Sequence, residues 1–156
     1  METYTTARIG KEVIAPVQKI KYVLYARKST ESEERQVLSI DSQVKEMLEL
    51  AERDGLEVVE IRRESHSAKE SGQRPIFEEI LKDIDDGIFN AIITWAPDRL
   101  SRNAGDLGKL VDRIDQKKLT QIKTFGQTFT NSPSDKFLLM ILCSQAKLEN
   151  DNKSIN

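Results

Sequence analysis

The sequence predicts an α/β domain of three layers, with a mostly parallel sheet of four to five strands flanked by helices. Three observations carry this. Short apolar runs suited to buried strands recur along the chain, beginning with Tyr22-Val23-Leu24-Tyr25-Ala26. Between them lie segments with helical apolar spacing, opened by Ser or Pro and closed by Gly. The 156 residues suffice for one domain with its own core. Strands alternating with helices in this way imply parallel pairing through crossover helices.

Residues 1–19 mix Thr, Lys, Glu and Gln around Val13-Ile14-Ala15-Pro16-Val17 and hold no lasting period, so they are expected to be an N-terminal tail. The domain core is expected over 20–131, starting with a strand at Lys21 to Ala26. An acidic loop, Glu31 to Leu38, follows. Ser39 is an N-cap, after which Ile40, Val44, Met47, Leu48 and Ala51 share a helical face and Gly55 stops the helix. Leu56 to Ile61 is the second strand, and the polar stretch Arg62 to Gln73 a long loop of the kind that often carries function. Pro75 opens a helix buried through Phe77, Ile80, Leu81 and Ile84, ending near Gly87. Ala91 to Trp95 is the third strand and Asp98-Arg99 its loop. Leu107, Leu110, Val111 and Ile114 mark the next helix, and Gln121 to Phe125 a fourth short strand. Residues 132–156 begin a long helix, capped by Ser134 and opening with Phe137 to Leu142.

Composition removes several function classes. A net charge of -2 and a pI near 5.6 do not suit a domain held on nucleic acid by its charge alone. The single cysteine, Cys143, permits no internal disulfide, and with the single histidine, His66, it makes no zinc motif. No run is long enough for a membrane span and the N-terminus is not signal-like, so a reducing, cytoplasmic setting without membrane contact is expected.

In parallel sheets, ligands sit beyond the carboxyl ends of the strands. That rule places Arg27 and Ser29, then Ser67 and Arg74, then Asp98, Arg99 and Arg102 along one rim. Guanidinium groups pair with phosphate oxygens through forked, charge-assisted hydrogen bonds, so four arginines suit a phosphoryl centre. A serine among them is a candidate nucleophile, activated by a base or by cationic stabilisation of its alkoxide. Singly, each residue has a plainer reading: Ser29 and Thr30 end a strand, Ser101 caps a helix, and Asp98-Arg99 is a surface ion pair. Their joint fall at strand ends favours a site.

Tyr25-Ala26-Arg27-Lys28-Ser29-Thr30, Ser39-Ile40-Asp41-Ser42-Gln43, Arg74-Pro75 and Asp98-Arg99-Leu100-Ser101-Arg102, in this order, resemble the catalytic domain of serine recombinases. That is the resolvase and invertase family, with its large phage and transposon integrase branch. The resemblance covers about Lys21 to Glu149. It implies that Ser29 attacks a DNA phosphodiester to give a 5′-phosphoserine link and a free 3′ hydroxyl. It further implies that Arg27, Arg74, Arg99 and Arg102 hold the scissile phosphate, that Asp98 orients an arginine or helps proton transfer, and that Gln43 and Ser67 support the site. No cofactor, metal or nucleotide is implied. Where many members read Asp-x-x-x-Ser-Gly, this chain has Glu64-Ser65-His66-Ser67-Ala68, with Ser67 the favoured match.

The consecutive apolar residues Phe137 to Leu142, with Ile141, Leu148 and Ile155 at seven-residue spacing, suggest a helix that meets a partner helix. The resemblance agrees, implying a homodimer through this interfacial helix, at Phe137, Ile141 and Leu148, and a tetramer during strand exchange on DNA. The chain ends at Asn156 within that helix, so a DNA-reading region is expected to be absent from it. The alternative is a non-catalytic dimerisation module of a DNA-binding regulator. A phosphohydrolase for small phosphates is a third reading, which no glycine-rich loop supports.

Overall fold

The computed structural model describes residues 4–9, 12–28, 39–65, 74–101 and 103–142. Its centre is a five-stranded sheet in the order β4-β3-β5-β6-β7, built from β3 (Lys21–Arg27), β4 (Glu57–Glu64), β5 (Ala91–Thr94), β6 (Gln121–Lys123) and β7 (Thr128–Phe129). The first four strands run parallel and β7 closes the edge antiparallel. The expected α/β class with a mostly parallel sheet is therefore observed. The chain leaves β3 through α1 (Ile40–Asp54) to β4 on one side, then crosses through α2 (Pro75–Asp85) to β5 on the other. The carboxyl ends of β3 and β5 thus flank a topological switch point, the usual place for a ligand in such sheets.

Alternation along the strands divides the core between the two faces. Tyr22, Leu24 and Ala26 of β3, with Ala91 and Ile93 of β5, pack on Val44, Met47, Leu50 and Ala51 of α1. Val23, Tyr25, Ile92 and Ile122 meet α2, α4 (Ala104–Asp115) and the last described helix, α5 (residues 133–142), through Phe77, Leu81, Leu110 and Leu139. Each fully buried side chain of this size contributes about 1.5–3 kcal/mol by leaving water. Asn90 ties the sheet at its amino end: Oδ1 accepts from Lys21 N at 2.8 Å, Nδ2 donates to Lys19 O, and its carbonyl accepts from Thr120 N at 2.7 Å.

Several elements differ from expectation, each for a local reason. Residues expected to form a tail contain an antiparallel pair, β1 (Tyr4–Ile9) and β2 (Glu12–Gln18). Their β-branched content favours extended chain, and the register slips opposite Pro16, which has no N–H for a ladder. Strand β4 runs on through Arg62-Arg63-Glu64, where the polar sequence predicts a loop. A bulge sets Tyr22 opposite Val58 but Val23 opposite Glu60, leaving Val59 turned out and letting both Val58 and Ile61 face α1. In α1, Val44, Met47 and Ala51 are buried as expected, but Leu50 takes the buried place expected of Leu48, which is exposed. The Asp98-Arg99 loop is one helical turn, α3 (Pro97–Leu100). The strand expected over Gln121 to Phe125 ends at Lys123, and β7 returns beside it. Helix α5 is capped by Ser132, whose Oγ accepts from Asp135 N at 3.1 Å, rather than by Ser134. Among the described residues no helix is long and apolar enough to cross a membrane.

Candidate active site

The alternation that turns Val23 and Tyr25 towards α2 turns Arg27, the last residue of β3, the same way. Arg27 is fully buried. Its Nε donates to Arg99 O at 2.9 Å, Nη2 to Asp98 O at 2.7 Å and Nη1 to Lys28 O at 2.8 Å. The guanidinium therefore grips the backbone of α3 and fixes where Asp98 and Arg99 stand relative to β3. Gln43, buried on α1, donates from Nε2 to Arg27 O at 3.1 Å, while Lys28 N extends the ladder to Glu64 O at 2.9 Å. Thr94 Oγ1 donates to Tyr25 O at 2.8 Å, pinning the end of β5 to β3.

Helix α3 forms because Pro97 sits at its first position, with Arg99 N donating to Ala96 O and Ser101 N to Pro97 O. It presents Asp98 partly exposed and Arg99 almost completely buried. The Asp98 carboxylate lies 3.5 Å from Arg99 Nη1, a geometry that can orient the guanidinium.

The third buried arginine precedes α2. Arg74 stacks its guanidinium 3.9 Å over the Phe77 ring, donates from Nη2 to Asp106 Oδ2 at 2.8 Å and from Nη1 to Tyr25 Oη at 3.2 Å. Tyr25 Oη in turn donates to Glu64 Oε1 at 2.8 Å. The buried Glu64 carboxylate also accepts from the backbone N–H groups of Ile76 and Phe77, so it caps α2 where Arg74 offers no capping side chain. Asp106 is held by the N-cap residue Asn103: Asn103 Oδ1 accepts from Asp106 N at 2.7 Å, and Asn103 Nδ2 donates to Asp106 Oδ2 at 3.0 Å.

Taking the Arg27 guanidinium out of water shifts its titration. Burial lowers Arg27 to about 10, aided by repulsion from Arg99 and Arg74 and opposed by Tyr25 and Asp98. Burial also raises the Tyr25 hydroxyl above its ordinary value, with Glu64 adding to the rise and Arg74 opposing it. Arg27 remains charged at neutral pH.

The fold brings together Arg27, Arg74, Asp98, Arg99 and Gln43. Ser29, Ser67, Arg102 and Leu148 lie outside the described residues. Phe137 and Ile141 are exposed on α5, at 65% and 36%. Sequence reasoning missed Tyr25, Glu64, Asn103 and Asp106. Only the N-cap pair Asn103-x-x-Asp106 was readable locally, since the other links join residues distant in the chain.

The family model described as "Resolvase, N terminal domain" matches residues 22–156. The hairpin of β1 and β2 precedes the matched region. Among solved structures, the N-terminal catalytic domain of TP901-1 integrase is 25% identical, with a TM-score of 0.63 over 84% of this chain and 97% of that one. A resolvase family site-specific recombinase from Streptococcus pneumoniae is 23% identical, with a TM-score of 0.59 over 88% of this chain and 92% of that one. The C-terminal catalytic domain of ISC1926 TnpA, an IS607-like serine recombinase, is 20% identical, with a TM-score of 0.54 over 67% of this chain and 70% of that one. The last two likenesses speak to the fold alone.

Proposed function

The chain belongs to the resolvase N-terminal domain family, and we propose that it is the catalytic domain of a site-specific recombinase that cuts and rejoins DNA through Ser29. The observation that carries the proposal is the trio of buried arginines, Arg27, Arg74 and Arg99, at the switch point beside the strand that leads into Ser29.

In this reading the Ser29 hydroxyl attacks a DNA phosphodiester phosphorus. The O–P bond to serine forms, the bond to the 3′ oxygen breaks, and the strand departs as a 3′ hydroxyl. Negative charge builds on the phosphoryl oxygens in the transition state, where fixed guanidiniums stabilise it without reorganising. Arg74, Arg99 and Arg102 serve the phosphate, and Arg27 serves through the α3 backbone it holds. Asp98 orients Arg99, Gln43 steadies the end of β3, and Ser67 supports the site. The serine ester keeps the energy of the broken phosphodiester, so rejoining is the reverse displacement by a 3′ hydroxyl of the partner strand. Helix α5, with Phe137 and Ile141 outward and Leu148 further along the chain, is assigned to pairing protomers into dimers, and dimers into tetramers on DNA.

The test is a suicide DNA duplex carrying the recombination site, presented to the full-length protein. Covalent protein–DNA product is expected, absent from Ser29→Ala and reduced about 100-fold or more in Arg99→Ala. Product formation that is indifferent to both substitutions would favour a non-catalytic dimerisation module.

A further inference from the structure

We infer that Asp106 is a positioning residue of this site: its carboxylate fixes the Arg74 guanidinium, Asn103 fixes the carboxylate, and the segments carrying Arg74 and Arg99 are thereby locked together. The inference rests on the recombinase reading above and adds to it a carboxylate that need not touch DNA.

The geometry is specific. The Arg74 and Asp106 side chains are 0% and 1% exposed, and their Nη2 to Oδ2 contact is 2.8 Å. Asp106 is the third residue of α4, which begins directly after the Arg99 to Asn103 stretch, whereas Arg74 stands at the start of α2. One buried ion pair therefore bridges two arginine-bearing segments more than 30 residues apart in sequence. The same Oδ2 accepts from Asn103 Nδ2 at 3.0 Å, and Lys109 Nζ lies 3.8 Å from Oδ1. With the Phe77 ring on its face and Tyr25 Oη on Nη1, the Arg74 guanidinium has its plane and its reach both set. Among the described residues its buried Nε has no hydrogen-bond partner, so one N–H of the oriented fork is unspent. Removing the carboxylate's charge would leave Arg74 in place without the group that sets its direction.

The experiment compares covalent attachment to two suicide duplexes, one with the natural scissile phosphate and one with a neutral methylphosphonate there. A residue that acts by aiming a cation at phosphate charge matters less when that charge is gone; a residue needed only for folding matters equally on both. For Asp106→Asn in the full-length protein, attachment to the natural duplex is expected to fall about 100-fold. On the methylphosphonate duplex the deficit relative to unsubstituted protein should shrink to about tenfold or less. Arg74→Ala should show the same pattern, and the double variant should be no slower than Arg74→Ala alone. If Asp106→Asn does not fold, Asn103→Ser, which keeps an N-cap oxygen and the ion pair but loses the Nδ2 donor, should show a smaller deficit of the same pattern. Equal deficits on both duplexes, or additive losses in the double variant, would overturn the inference while leaving the recombinase reading intact. No attachment by the unsubstituted protein would instead sink the recombinase reading, and the inference with it.

Discussion

Tyr25 joins the two buried carboxylate systems of the site, since its hydroxyl donates to Glu64 and accepts from Arg74. Tyr25→Phe deletes both bonds within an otherwise filled core and is expected to cost about 1–3 kcal/mol, read as a lower urea midpoint. The pH dependence of that cost has a definite sign. Burial, chiefly, raises the folded Tyr25 above the ordinary value of about 10, so its contribution is fully present below that pH. As pH rises further the unfolded chain ionises first and the contribution is lost. The stability gap between the unsubstituted protein and Tyr25→Phe should therefore narrow above pH 10, checked by urea titrations at several alkaline pH values. Arg27 runs the other way: burial lowers it to about 10, so its charge weighs against the fold at all lower pH and is relieved only above that. Residue types at strand ends made Arg27, Arg74, Asp98 and Arg99 legible from sequence. What sequence did not reveal was that Arg27 spends two donors on the backbone carbonyls of Asp98 and Arg99, because these partners are some 70 residues away.

Caps and alternation decide the elements. Helix α1 starts where Ser39 accepts from Ser42 N and stops at Gly55, whose φ of 69° is the left-handed conformation that favours glycine. Gly55→Ala is expected to lower unfolding free energy by about 1 kcal/mol in a urea titration, because nothing crowds the added methyl and the cost is backbone strain alone. Such punctuation is local, which is why α1 and α2 were readable with nearly correct bounds, whereas α4 was legible by its apolar spacing alone and its cap is Asn103 rather than Ser101. The bulge at Val59 was not, since it depends on which residues of β3 lie opposite. The two residues of β7 and the single turn of α3 are too short for any period to register.

At the scale of the molecule, α5 buries Leu139 in the core and turns Phe137, Met140 and Ile141 outward. Three such residues on one helix face suit a second helix. Phe137→Asp is expected to shift the protein towards monomer in sedimentation velocity, with its far-UV circular dichroism unchanged because residue 137 is exposed at 65%. Pairing would set two sites in one assembly, as strand exchange between duplexes requires. The most direct measurement is peptide mapping, by mass spectrometry, of the covalent protein–DNA product trapped on a suicide duplex. A nucleotide joined through its 5′ phosphate to Ser29 is expected; a link to any other side chain, or the same yield of product from Ser29→Ala, would rule out Ser29 as the nucleophile.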